Sequence, residues 1–373
     1  MPLGITAFAD DGADLSDSIS SIIEGLDLSE IEEYLKQYGN DYIFSFGESA
    51  QQIVEYLVSG DLGLNYGDYL GKIFAVLFKG VTSLIPAFAQ IVAISILCSV
   101  CTGVEGGVLS KTTAKTVRLA CLALNILIIS SMLLSIVNSA IRCITRIQKQ
   151  VEIITPILIT LTVLTGGSAS GAVYQPSALF LSGGAIEVVT GLIFPATIAV
   201  ILLNFLSKLN PDISFTGVSA LVKSVMKWVI GLTVAIFSLF ITVQGSSSSL
   251  FNGIFFKVTK YLVGNSVPIV GNFLSAGVDM VVMAGSLVRS SVGMLGIILL
   301  LSEIIQPVLL LTAFSLMLKI CGAIVQPLGD KVSYALFSEL SKDIEFFIAG
   351  ILMVAFMYLL VVMLIINSAN AFL

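Results

Sequence analysis

The chain has 373 residues, of which 57% are hydrophobic and only 11% are charged. A soluble domain carries about 25% charged residues, so this composition predicts a polytopic helical membrane protein. The sequence contains no histidine. This excludes histidine-based catalysis, histidine metal ligands and the usual histidine pH switch.

Charge is distributed unevenly along the chain. Residues 1–71 hold 14 acidic residues and one basic residue, for a net charge of −13, whereas residues 72–373 hold 17 basic and 10 acidic residues, for +7. Because Lys and Arg collect in cytoplasmic loops, we expect residues 10–71 to be an extracytoplasmic region and residues 72–373 to be the multi-pass domain. The acidic region also argues against nucleic acid as a partner.

Residues 1–9, MPLGITAFA, end like a secretory signal peptide, in Ala7-Phe8-Ala9. A charged start and most of an apolar core are absent from them. Two interpretations stay open: these residues are the remnant of a signal peptide whose true start lies upstream, or the likeness is accidental.

Two short amphipathic helices are predicted in the acidic region. The first has Ser29 as its N-cap, with Glu32 at capping-box spacing, and ends at Gly39-Asn40. The second covers residues 46–58. Their apolar residues recur at helical spacing: Ile31, Tyr34, Leu35 and Tyr38 in the first, and Ile53, Val54 and Leu57 in the second.

Apolar runs predict the membrane spans. The predicted spans are residues 73–101, 119–141, 225–243, 304–325 and 344–366. Two further apolar runs, 273–288 and 292–301, are split by Arg289. Residues 176–206 are too long for one span and contain Pro195, which predicts a broken helix or two half-helices.

Basic residues flank the second span on both sides. We expect Lys111, Lys115 and Arg118 to form a cytoplasmic loop. Basic residues recur at positions 142, 146 and 149. A single crossing between the two groups would put the second group outside the cytoplasm, where basic residues are not expected. An interfacial helix or a hairpin that does not cross would resolve this conflict.

The stretch from Lys257 to Gly271 combines two lysines with residues that suit a helix interior poorly. Four interpretations stay open: a re-entrant segment, a discontinuous helix, an interfacial helix that becomes a span, or a basic loop before an ordinary span. The candidate assembly residues here are Lys257, Lys260, Tyr261, Gly264, Asn265, Pro268 and Gly271.

Proline spacing suggests an internal repeat. Pro156 and Pro268 lie 112 residues apart, as do Pro195 and Pro307. We hypothesise repeated halves at about residues 150–245 and 257–370, with broken helices in each.

Five charged residues lie within apolar runs: Glu152, Glu187, Asp279, Arg289 and Glu303. The last four are the candidate pathway residues. Arg289 is expected to pair with Asp279 or Glu303, and the alternative is that some of the four snorkel to the interface. The pair Cys98 and Cys101 is interpreted as packing. No catalytic constellation, metal-ligand set or nucleotide motif is visible, so we predict no enzyme and no cofactor.

Several motifs, in order and spacing, resemble the stage III sporulation protein AE family over residues 70–370. They are Gln244-Gly245, Lys260-Tyr261, Gly264-Asn265, Pro268 with Gly271, and Pro327-Leu328-Gly329-Asp330.

The resemblance implies a multi-pass protein of the mother-cell membrane around the forespore. It further implies membership of the channel, or feeding-tube, complex, whose partners are ring-forming membrane proteins and a secretion-type ATPase. The alternative is a self-contained secondary transporter that uses Glu187, Asp279 or Glu303. A membrane enzyme is a third class, which no residues support.

Overall fold

A computed structural model describes residues 8–38, 49–60, 66–103, 111–165, 180–210, 214–266 and 270–367. These residues form nine α-helices and no strands, which confirms the predicted all-α class. The helices are α1 (Phe8–Gly25), α2 (Ser29–Tyr38), α3 (Ala50–Ser59), α4 (Tyr66–Gly103), α5 (Lys111–Leu164), α6 (Phe194–Leu209), α7 (Thr216–Ser266), α8 (Val270–Val325) and α9 (Lys331–Asn367).

Six segments of the described residues are long and apolar enough to cross a membrane. They are Phe78–Cys101, Thr112–Leu164, Gly183–Leu209, Thr216–Val243, Val282–Leu328 and Lys331–Ile366. Each of the six segments contains or overlaps one of the apolar runs identified in the sequence.

The bundle is organised around α8, which packs against α4, α5 and α9 and also receives α1 and α3. Helix α9 runs antiparallel to α8: a side chain added at Gly293 would meet Ile366, and one at Gly322 would meet Tyr334. The acidic region therefore shares one apolar core with the spans, with Ile23 of α1 and Ile53 of α3 buried in it.

Helices α5 and α8 are longer than the sequence predicts. Helix α5 has 54 residues and α8 has 56, so each is about 80 Å long at 1.5 Å per residue. Helix α5 runs unbroken through the basic residues 142–149 and Pro156, so the predicted hairpin is wrong. A position of these basic residues at the membrane interface stays a prediction. Helix α8 likewise runs unbroken through Arg289, where the sequence predicts a split.

Residues 180–209 are helical throughout, with two π-helical turns, Phe180–Ala185 and Val188–Ile193, leading into α6. Pro195 lies in the first turn of α6, directly after the second π-helical turn. Because the chain before it is already helical, its missing N–H leaves a preceding carbonyl without a helical donor and favours a distortion there. The chain is therefore distorted before Pro195, and the predicted division into half-helices is wrong there.

The stretch from Lys257 to Gly271 is helical where the structure describes its backbone. Helix α7 continues to Ser266 and α8 begins at Val270. The predicted break is thus absent at Gly264 and Asn265, and Gly271 lies in the first turn of α8. Pro268 lies outside the described residues.

The two predicted short helices are confirmed, although their caps differ from the prediction. The Ser29 backbone N–H and Oγ both donate to Asp27 Oδ1, at 3.1 and 2.5 Å, so Asp27 and not Ser29 supplies the cap of α2. These hydrogen bonds lower the pKa of Asp27. A capping box occurs instead at α3, where Ser49 and Gln52 satisfy each other's backbone N–H.

Candidate functional site

A buried ion pair joins α5 to α8. The Arg146 guanidinium lies 3.4 Å from Glu303 Oε1, and the Glu303 side chain is 6% exposed. The sequence predicts Arg289 as a partner of Glu303, and this is wrong. The two residues are 14 positions apart on one continuous helix, which separates them by about 21 Å along its axis.

Pro307 shapes the backbone beside this pair. Proline has no N–H, so within α8 it leaves the carbonyl four residues earlier, that of Glu303, without its helical donor. The Cys143 thiol of α5 lies 3.6 Å from that carbonyl oxygen and donates to it. The thiol thus compensates at this site for the hydrogen bond that Pro307 removes.

A polar pocket of about 160 Å³ lies between α5 and α8 at this point. Helix α5 contributes one face with four residues, Ser139, Arg142, Cys143 and Arg146. Helix α8 contributes the turn around its proline, Ser302, Glu303, Gln306 and Pro307. The side chains at 139, 142, 143 and 146 share one helix face because they recur at helical spacing.

Helix α2 of the acidic region lies against the same part of α5. The Arg146 guanidinium carbon is 4.6 Å from the centroid of the Tyr38 ring, within the range of a cation–π contact. Lys149 donates to the Tyr38 hydroxyl at 3.2 Å, and Gln150 donates to the Tyr34 hydroxyl at 2.9 Å. The acidic region therefore contacts the basic part of α5 through Tyr34 and Tyr38.

A second buried polar cluster joins α6, α7 and α9. Asp343 is fully buried, with Lys223 Nζ 2.5 Å from its Oδ1 and Asn204 donating to its Oδ2 at 2.6 Å. Ser219 donates to the Asn204 amide oxygen at 3.1 Å. The sequence analysis missed this cluster. The sequence pattern that could have predicted this cluster is the pair Glu339 and Asp343, four residues apart in a helix that continues into the last span.

One turn away, Lys208 of α6 lies 2.9 Å from Glu339 of α9. The two ion pairs cross helix boundaries at successive turns of α9. They therefore specify the register of α9 against α6 and α7.

Arg289 of α8 is fully buried near the C-terminal end of α9, away from the Asp343 cluster. Its guanidinium donates to Thr162 Oγ1 at 3.4 Å and to the Ile366 carbonyl at 3.1 Å. A cation at the C-terminal end of a helix can donate to carbonyls that lack a helical partner, and it interacts favourably with the helix dipole. Arg289 thus ties the end of α9 to α5 and α8.

The remaining predicted pathway residues do not join a common site in the described structure. Glu187 is exposed, between the two π-helical turns. The side chains of Asp279, Gln244, Lys257, Lys260 and Tyr261 lie outside the described residues. A role of these residues, and of Gly245, Gly264, Asn265, Pro268 and Gly271, in assembly stays a prediction.

The turn at Pro327 is present as predicted. Residues Gln326–Leu328 form a 3-10 turn, and Gly329 follows with φ of +83°, a conformation that favours glycine. Asp330 accepts from the backbone N–H and the Oγ of Ser333, at 3.2 and 2.6 Å. Asp330 therefore caps α9.

No group of three or more cysteine or acidic side chains that could hold a metal ion occurs in the parts of the chain that the structure describes. The cysteines there are free thiols.

Comparison with known proteins identifies the family. The family model of stage III sporulation protein AE matches residues 48–369. The chain is 23% identical over 367 residues to stage III sporulation protein AE of Bacillus subtilis (strain 168), which covers 97% of this chain and 92% of that protein. No solved structure matches. The chain, whose described residues include six candidate membrane spans, therefore belongs to the stage III sporulation protein AE family.

Proposed function

We propose that this chain is an integral membrane subunit of the sporulation channel that links mother cell and forespore, and that it is needed for late forespore development. The observation that carries the proposal is the family match, which begins at residue 48, near the end of the acidic region, and extends over the spans to residue 369. Six candidate spans suit a membrane-embedded core. Ring-forming membrane proteins and a secretion-type ATPase are the proposed partners, and the mother-cell membrane is the proposed location.

We propose an orientation on the basis of charge and packing. The basic residues 111–118 are assigned to the cytoplasm. Helix α2 contacts α5 at residues 146–150, beyond the far end of the 119–141 apolar run. The acidic region is therefore assigned to the extracytoplasmic side, and its contacts with Arg146 and Lys149 account for basic residues there.

Deletion of the gene and scoring of spores and forespore morphology tests the function. We expect engulfed forespores that fail to complete development, with recovery when the full chain is restored. Normal spore counts in the deletion strain would contradict the proposal. An epitope-tagged chain should also co-purify with the ring-forming proteins from sporulating cells and not from growing cells.

Single amide substitutions of Glu187, Asp279 and Glu303 distinguish the channel subunit from the transporter alternative. Sporulation with any of the three amides, at normal protein level, shows that this carboxylate is dispensable and favours a channel subunit. Loss of sporulation with all three amides, at normal protein level, favours the transporter.

A further inference from the structure

Glu187 is the single charged residue of an apolar belt that three neighbouring helices build. The belt consists of residues 180–207, which comprise the π-helical turns and most of α6, with residues 228–243 of α7 and 346–367 of α9. These segments contain no lysine, no arginine and no second acidic residue, and their helices pack against one another. A counter-charge for the Glu187 carboxylate therefore has to come from outside the belt.

Packing contacts place Glu187 well inside the belt. A Cβ added at Gly350 of α9 would lie 3.0 Å from Val189, which is two residues after Glu187. Helices α6 and α9 run antiparallel, so Glu187 lies about two residues beyond the level of Gly350 towards the end of α9. At 1.5 Å per residue, this level is about 12 Å from the start of the apolar run 344–366 and about 21 Å from its end.

The surface around Glu187 is the kind that meets hydrocarbon. Glu187 is itself exposed. The large hydrophobic side chains that the two flanking segments expose are Trp228, Leu232, Ile236, Leu239 and Val243 of α7, and Leu352, Phe356 and Met363 of α9. A charged side chain at this depth is costly unless it is paired or reaches water. The position of Glu187 therefore calls for a partner from outside the chain.

The backbone around Glu187 leaves its carboxylate open to a neighbouring helix. The π-helical turns Phe180–Ala185 and Val188–Ile193 flank the residue, and such turns are frequent at functional sites. A Cβ added at Gly191 would lie 3.0 Å from Glu187 Oε1. The carboxylate thus lies along its own helix over Gly191, where no side chain covers it. Small residues of this kind let a second membrane helix approach closely.

A carboxylate within a membrane is best matched by a basic side chain, because a charge-assisted hydrogen bond then replaces lost hydration. We propose that Glu187 and Gly191 form a docking point for a transmembrane helix of a partner membrane protein, which presents a lysine or arginine at mid-depth. The inference rests on the membrane location in the proposed function. A second copy of this chain is the weaker candidate, because its own belt segments offer no cation.

The test uses the full chain in phosphatidylcholine vesicles with two synthetic transmembrane peptides of leucine and alanine. One peptide carries a lysine at its centre, and the other carries leucine there. Trp228 is the sole tryptophan and is exposed on α7, so energy transfer from it to a dansyl group on the peptide reports binding. Wild type should bind the lysine peptide about tenfold or more tightly than the leucine peptide, as expected for a charge-assisted hydrogen bond. Glu187→Gln should abolish this preference.

Two further pairs of variants sharpen the test. Glu152→Gln is the matched control for Glu187→Gln, because Glu152 is exposed on α5 outside the belt, and it should leave the lysine preference unchanged. Gly191→Leu keeps the carboxylate but covers it, so it should weaken the preference. Gly217→Leu should not, since Gly217 is exposed near the start of α7 with nothing within 4 Å of its added Cβ.

Equal binding of the two peptides by wild type, or a lysine preference that survives Glu187→Gln, would overturn the proposal. Self-association of the wild-type chain without peptide, seen by cross-linking and lost in Glu187→Gln, would reassign the docking point to a second copy and overturn the choice of partner. Normal sporulation of the deletion strain would contradict the proposed function and not the lysine preference in vesicles, so the two failures are distinguishable.

Discussion

Lys223 and Asp343, 120 positions apart in the sequence, meet inside the bundle with 2.5 Å between the ammonium nitrogen and the carboxylate oxygen. Asp343 is fully buried and Lys223 is only 24% exposed. Loss of the lysine would leave a buried carboxylate whose remaining described partner is the neutral amide of Asn204. This pair is therefore a point where one substitution affects three helices at once.

We predict that Lys223→Met destabilises the protein by about 3–5 kcal/mol, because it leaves a buried charge without its counter-ion. The double variant Lys223→Met with Asp343→Leu should recover much of that loss, since no charge is then buried. Thermal unfolding in detergent measures both. Lys227→Met is the control, because Lys227 is exposed one turn away on the same helix and should change stability little. Equal effects at positions 223 and 227 would contradict the buried-pair account.

We predict an energetic coupling between Cys143 and Pro307. Cys143→Ala leaves the Glu303 carbonyl without the donor that replaces its helical N–H, which should cost about 1–3 kcal/mol. In a Pro307→Ala background the backbone N–H at position 307 returns, so the same cysteine change should cost less. A double-mutant cycle on unfolding measures the difference. Strictly additive effects would show that the thiol and the proline act independently.

We predict that Gly350→Ala destabilises the contact between α9 and the π-helical turns. A Cβ at position 350 would lie 2.8 Å from Phe194 and 3.0 Å from Val189, and both side chains are fully buried. Overpacking of this kind costs about 1–3 kcal/mol. Gly231→Ala is the matched control, since nothing lies within 4 Å of its added Cβ. A silent Gly350→Ala would mean that Phe194 moves freely.

We predict that Asp330→Ala lowers stability by about 0.5–2 kcal/mol through loss of the α9 cap. Asp330→Asn should retain most of the stability, because an amide oxygen still accepts from the Ser333 backbone N–H. Thermal unfolding of both variants gives the comparison. If Asp330→Asn were as damaging as Asp330→Ala, the charge of Asp330 and not its capping geometry would be responsible.

We predict that Ser20 of α1 faces the extracytoplasmic side and that Thr112 at the start of α5 faces the cytoplasm. Both positions are exposed, and neither caps a helix as Ser49 does. Single cysteines at these two positions, in a background with Cys101→Ser, should react differently with an impermeant maleimide in intact protoplasts. Labelling of position 112 with protection of position 20 until lysis would invert the proposed orientation.

Composition and periodicity by themselves determined the helical class, the short helices α2 and α3, the candidate spans at 225–243 and 344–366, and the turn before Asp330. These features depend on local properties: apolar length, helical spacing and turn chemistry. The residues alone carry that information, because the interactions involved lie within a few positions of each other.

The tertiary structure decided which polar residues pair and where the helices continue. Pro307 removes a helical hydrogen bond from α8, and only the tertiary structure shows that Cys143 of another helix donates to the freed carbonyl. Glu303 meets Arg146 and Lys223 meets Asp343 only because the packing of the helices brings together residues more than 100 positions apart. Such pairs depend on the register between helices, which the pattern within any one helix does not contain.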